Sequence, residues 1–216
     1  PGGRFPQPGD AELEDFHRQV DDAGLEISAV SPGFCKCPVE DPSVPNVLAE
    51  DLPRACEWAL QWGTDLVSCF AFRRDESPEV PAQIVDHMAE MNAIAAQQGC
   101  RLVLENEAGC WGATGVEAAA IIRQVDDPNL TLCWDPGNSA RAGSPRPFPD
   151  EYAQLRDLVD HVHLKNFDAD HAKWSLIEEG VIDWPAQLRS LVQDGYEGFI
   201  VVETHLGDSP AAVETA

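Results

Sequence analysis

Four residues of this chain have the types and the spacing to hold a metal ion: Glu105, Asp135, His163 and Glu203. They sit in four short apolar runs, RLVLENE from Arg101, LTLCWD from Leu130, HVHLKN from His161 and GFIVVETH from Gly198. In an extended strand, side chains alternate between two faces. On that count Val103, Glu105 and Glu107 share a face. So do Thr131, Cys133 and Asp135, then His161, His163 and Lys165, then Val201, Glu203 and His205. Successive strands therefore bring three carboxylates and an imidazole to similar depth near their exit ends. Isolated buried charges are too costly to leave unpaired. A divalent cation resolves that cost. An oxygen-rich set with one neutral imidazole suits Mn2+ or Mg2+, with Co2+ or Zn2+ as alternatives, and leaves room for substrate oxygens. The competing explanation is a buried salt-bridge cluster with Lys165 and Arg101 as counter-charges, in a chain where basic groups are scarce.

The elements that carry these residues recur with a rhythm. Two further runs of strand length precede them, LEISAV from Leu25 and DLVSCFAF from Asp65. All six are rich in β-branched or aromatic residues. Between them lie helical patterns over 11–23, 53–62, 81–98, 116–125 and 184–194, four of them stopped by Gly24, Gly63, Gly99 and Gly195. Asp183 is a good N-cap for the last, with Pro185 in its first turn. Strand starts at 65, 101, 130, 161 and 198 are 36, 29, 31 and 37 residues apart. That spacing is the repeat of βα units, which build a parallel sheet. The runs are apolar almost throughout, as when both faces of a sheet are covered. No Gly-rich phosphate loop follows any strand, and the charged residues gather at strand C-terminal ends, where barrel enzymes build their sites. The expected fold class is α/β, a (β/α)8 TIM barrel. Only six strands are visible against the eight of a closed barrel. The shortfall lies at the N-terminus, so residues 1–216 read as one domain lacking its first two strands, either a fragment or an open part-barrel.

Composition narrows the function. The formal net charge is −24, from 38 acidic and 14 basic residues. No basic stripe is present, which argues against nucleic-acid binding. No apolar run is long enough to span a membrane. The Pro- and Gly-rich opening, residues 1–10, does not read as a signal peptide. Seven scattered cysteines contain no C-x-x-C pair. They read as free thiols, Cys35 and Cys37 included, in keeping with a reducing cytoplasm.

With these motifs in order, the chain resembles the xylose isomerase-like barrel superfamily of sugar isomerases, epimerases and inosose dehydratases. LVLENE is similar to the family's fifth strand, LCWDPGNS to the sixth, HVHLKN to the seventh and VVETH to the eighth. The resemblance assigns metal ligation to Glu105, Asp135, His163 and Glu203. EEGVIDW resembles the family's G-x-G-x-(I/V)-D segment, with Glu178 in place of the first glycine. Asn138 stands where many relatives have histidine, and Asn166 where the family has aspartate. The resemblance implies chelation of adjacent carbonyl and hydroxyl oxygens of an open-chain sugar or sugar phosphate. It also implies a cis-enediolate, with Glu105 and Glu203 moving protons. Return of the proton gives epimerisation or isomerisation; loss of a hydroxyl gives dehydration. Lys165, Glu107, Asn138 and His205 are expected to meet substrate, and Trp111 or Trp174 to stack on it. The expected partner is a small polyol or ketose, with homo-oligomerisation left open. Alternatives are an inosose-type dehydratase and a non-catalytic sugar-binding barrel. An abasic-site endonuclease would need a three-metal cluster and more histidines than this chain can place.

Overall fold

The computed structural model describes residues 9–203, 205 and 206. Most of the Pro- and Gly-rich opening, residues 1–10, lies outside them. Helix α1 (Asp10–Asp22) leads to strand β1 (Val30–Phe34), and α2 (Val44–Asn46) and α3 (Leu52–Gln61) lead to β2 (Leu66–Cys69) and β3 (Ala71–Arg73). Helix α4 (Ala82–Gln98) precedes β4 (Arg101–Glu105) and β5 (Cys110–Trp111); α5 (Gly115–Val125) precedes β6 (Leu130–Trp134). Helices α6 (Pro136–Arg141) and α7 (Tyr152–Leu155) are followed by β7 (Val159–Leu164), β8 (Asn166–Asp168) and β9 (Lys173–Ser175). Helix α8 (Trp184–Gln193) precedes β10 (Ile200–Val202).

Six strands form one parallel sheet in the order β1-β2-β4-β6-β7-β10, curved into a half-barrel. The expected fold class holds. Strand β1 begins later than the LEISAV run. Its ladder starts with Val30 opposite Val67, so residues 25–29 lie outside the strand, with Ser28 O accepting from Thr64 Oγ1 at 3.0 Å. The DLVSCFAF run splits at Phe70, whose N–H bonds to Phe34 O. The second half of the run, β3, leaves the main sheet and pairs antiparallel with β5.

The alternation along each strand sorts the core into two parts. Outward residues Leu102, Leu104, Leu130, Leu132 and Trp134 join Ile84, Met88, Met91, Ile121 and Ile122 of the helices in the main core. Inward residues Leu66, Val103 and Cys133 form a separate small cluster with Ala29. That inner cluster is the floor on which the polar residues of the strand ends stand.

At the opposite, N-terminal end of the strands, Arg101 clamps three of them. Its Nε and Nη2 donate to Asp65 at 2.9 Å each, and its Nη1 pairs with Asp160. Asp160 also accepts from Thr131 Oγ1 at 3.2 Å. The Arg101 hydrogen bonds outweigh burial and hold the Asp65 carboxyl below its usual range. A depressed carboxylate pKa adds stability that is present above the unfolded value of about 4 and lost as pH falls through the folded one. With the Arg101 side chain 38% exposed, solvent screening keeps the effect near 1 kcal/mol. Urea denaturation of Arg101→Met is expected to show that loss at pH 7 and a smaller loss at pH 3, where the wild-type advantage has itself diminished.

Candidate metal centre

The C-terminal ends of β4, β6, β7 and β10 converge on one point. Glu105 is the last residue of β4, and His163 lies in β7 opposite Val201. Asp135 follows β6 directly and caps α6, its Oδ1 accepting from Asn138 N at 2.8 Å. Glu203 follows β10, with its N–H on Leu164 O at 3.0 Å. Glu105, Asp135 and His163 are 4%, 0% and 7% exposed. Ligand atoms of all four residues lie within 4.8 Å of one another.

His163 Nδ1 is the centre of the group. It lies 3.3 Å from Glu105 Oε1, 3.7 Å from Asp135 Oδ2 and 3.6 Å from Glu203 Oε2. It is buried, yet among the described residues it makes no hydrogen bond to any of them. A buried nitrogen without a hydrogen bond, faced by three carboxylates, is a donor set that fits a divalent cation. Lys165 is the counter-charge present, its Nζ 2.8 Å from Asp135 Oδ2 and 2.7 Å from Glu203 Oε2. Arg101 sits at the other end of the strands. One lysine does not by itself neutralise three carboxylates.

Electrostatics differ around the centre. Burial pushes the Glu105 carboxyl above its usual range, with His163 only partly offsetting it. Burial also pushes Glu203 up, but Lys165 and then His163 more than reverse this and hold it at about 2. Burial opposes the charge on Lys165, and Asp135 and Glu203 outweigh that, so its pKa rises. His161, one layer deeper, is pulled down to about 4 by burial and by His163, and stays neutral. Its ring meets that of His163 edge-on at 5.5 Å. Among the described residues its Nδ1 has no hydrogen-bond partner.

A cavity of about 220 Å³ opens over Glu105 and Glu203. Of the residues expected to meet substrate, Lys165, Glu107, Asn138 and His205 line it. Asn138 donates to Asn106 O at 2.9 Å and Asp135 Oδ2 at 3.1 Å, and its Oδ1 is buried without a partner among the described residues. His205 stacks on Trp174 at 5.2 Å, and Trp174 also lines the cavity. Trp111 does not. It lies in the β3–β5 pair, 2% exposed in the core, with the Arg74 guanidinium 4.8 Å from its ring. Sequence reasoning missed Lys36 and Arg141, which line the cavity from loop and helix end and carry no strand period. It also missed Asn106. Period-2 counting puts this residue on the outer face, yet its carboxamide pairs with Asp135 at both N and O, at 2.8 and 2.7 Å, and so positions the strand end.

Asn166 and Gly180, from two of the sequence motifs, have a shared structural role. The Asn166 Nδ2 donates to Ile177 O at 2.7 Å and Ile182 O at 3.0 Å; its Oδ1 accepts from Phe167 N at 2.9 Å and Ile182 N at 3.0 Å. This carboxamide pins the loop that follows β9. A Cβ on Gly180 would meet Asn166 Oδ1 at 2.1 Å. Gly180→Ala is therefore expected to destabilise the fold by about 1–3 kcal/mol in urea denaturation, whereas Glu178→Ala, on an exposed side chain beside it, leaves stability within about 0.5 kcal/mol.

Comparison with known proteins agrees with this architecture. Residues 1–216 match the family described as xylose isomerase-like TIM barrel, and the chain belongs to that family. The uncharacterized protein MJ1311 of Methanocaldococcus jannaschii is 30% identical over 122 residues, 54% of this chain and 41% of its own. Inosose dehydratase of Geobacillus thermodenitrificans is 25% identical over 140 residues, 56% of this chain and 45% of its own. The matched stretches thus span less than half the length of these curated relatives. A xylose isomerase-like TIM barrel protein from Mycobacterium smegmatis, solved in complex with magnesium, superposes with a TM-score of 0.74 at 25% identity, covering 96% of this chain and 76% of that one. Sugar epimerases and a protein with bound zinc are among other solved structures of this fold. Among the described residues no helix is long and apolar enough to cross a membrane, and no disulfide joins the cysteines.

Proposed function

We propose that the chain is a divalent-metal-dependent isomerase or epimerase of a small ketose or polyol, with Glu105, Asp135, His163 and Glu203 as ligands and Mn2+ or Mg2+ as the ion. The observation that carries this reading is the convergence of three carboxylate oxygens on the unbonded Nδ1 of His163. When bound, the ion supplies Lewis-acid polarisation of adjacent substrate oxygens. The remaining work falls to the chain's own groups. Glu105 and Glu203 come from the first and last of four neighbouring strands, so a substrate across the centre has a carboxylate at either flank. One removes a proton from carbon and the other returns one, to the same carbon for epimerisation or to its neighbour for isomerisation. Asn138 Oδ1, buried and without a partner among the described residues, is the acceptor assigned to a substrate hydroxyl in this reading, and the Trp174 ring bounds the cavity.

A dehydratase is the second reading, favoured by the inosose dehydratase relative. One experiment separates them. Purified protein is first assayed for metal content, then incubated with Mn2+ and a panel of ketoses and inososes in D2O. Deuterium entering an unchanged or isomerised pool supports the isomerase reading; a product lighter by one water supports the dehydratase. Bound metal with neither outcome across the panel points to a non-catalytic sugar-binding barrel, and protein that takes up no metal refutes the centre itself.

A further inference from the structure

We infer that the substrate of this centre carries an oxyanion, a carboxylate or a phosphate, and that Arg141 with Lys36 receives it at the cavity mouth. The inference rests on the metal-centre reading above. Its starting point is where cations lie in a chain of net charge −24 with 14 basic residues. Lys36, Arg141 and Lys165 all line this one cavity. Four carboxylates belong to the same place: Glu105, Asp135 and Glu203 around His163, and Glu107 at the wall. A divalent ion added to the three side-chain cations outweighs those four charges, so the loaded cavity is electropositive within a strongly acidic body.

The three cations are not equivalent. Lys165 is buried between Asp135 and Glu203. Lys36 lies 3.3 Å from Glu107 and 4.5 Å from the centre of the Phe70 ring. Arg141 is exposed and makes no ion pair among the described residues. It is the last residue of α6, whose N-cap is Asp135, so the same short helix carries it and a proposed ligand. Its guanidinium lies over Trp174, 5.4 Å from the ring centre. A guanidinium stacked on an aromatic face keeps its N–H edge free, and that planar edge matches a carboxylate or a phosphate in a two-point contact. An arginine beside this cavity, over an aromatic ring and with no carboxylate partner among the described residues, suits an anion from outside.

The test uses three five-carbon probes on the Mn2+-loaded full chain in calorimetry: ribitol, ribonate and ribitol 5-phosphate. At least one anion is expected to bind about tenfold or more tightly than ribitol, as for a charged hydrogen-bonded contact. Preference for ribonate names a carboxylate substrate; preference for ribitol 5-phosphate names a phosphate ester. Arg141→Leu is expected to erase most of the preference while leaving Mn2+ and ribitol affinities in place, and Arg141→Glu to reverse it. Ribitol binding as tightly as both anions, none of the three binding, or a preference that survives in Arg141→Leu would each overturn the inference. Failure of Mn2+ itself to bind is a separate result, and it removes the metal centre on which the inference stands.

Discussion

Replacing Asp135 by asparagine is expected to weaken Mn2+ binding by at least about 100-fold, the upper end of what even an outer-shell partner of a metal site contributes. Asp135 is fully buried, and its two oxygens have separate tasks. Oδ1 caps α6 through Asn138 N at 2.8 Å, a bond that an amide oxygen keeps. Oδ2 faces Lys165 at 2.8 Å and His163 Nδ1 at 3.7 Å, and there the charge matters. The substitution removes a negative charge from a crowded cluster, so the metal-free fold survives it. The readout is chemical stability with and without the ion. At a Mn2+ concentration about 100 times the wild-type Kd, the wild type gains about 2.7 kcal/mol, whereas a variant bound at least 100-fold more weakly gains about 0.4 kcal/mol or less. Equal gains in the two proteins would mean that Asp135 is only the partner of Lys165 and the N-cap of α6.

The sequence was most legible where one period governed a whole segment. Leu102, Leu104, Val103 and Glu105 alternate, and β4 puts the first two in the main core and the last two inside. The same count located Asp135, His163 and Glu203, because their strands are neighbours in the sheet, with a register shift between β6 and β7 that sets Cys133 opposite His161. It located the helix from Ala82 to Gln98 through the left-handed Gly99 that ends it, with φ 83°. Legibility ended where position is set by contacts distant in sequence. LEISAV has strand composition, but its ladder with β2 begins only at its last residue, Val30. Trp111 and Trp174 follow strands in the same way; the first turns into the core under Arg74 and the second faces the cavity beside His205, a difference made by the antiparallel pairs β3–β5 and β8–β9. Lys36 and Arg141 reach the cavity from segments with no repeating pattern at all.

Glu203→Gln is expected to lower turnover by about 10²- to 10⁴-fold, the range for loss of a positioned acid–base group. Two causes would both slow turnover, and they are separable. Glutamine keeps a neutral oxygen that can still approach a metal, so weakened ligation is offset by raising Mn2+. A lost proton carrier is not. Assays of proton exchange are therefore run on the variant to saturating Mn2+, with metal content measured beside the rate. A deficit that persists with the ion fully bound assigns proton transfer to Glu203. A rate that recovers leaves Glu203 as a ligand and moves the proton-carrying role to a neighbour, of which Lys165 and His205, 2.7 and 3.3 Å from Glu203 Oε2, both line the cavity. Glu105→Gln supplies the companion test. If the two glutamates serve one substrate from its two flanks, the double variant loses little more than the worse single one, since residues that act as a unit are not additive. Losses that multiply instead would mean that the two carboxylates act in independent steps.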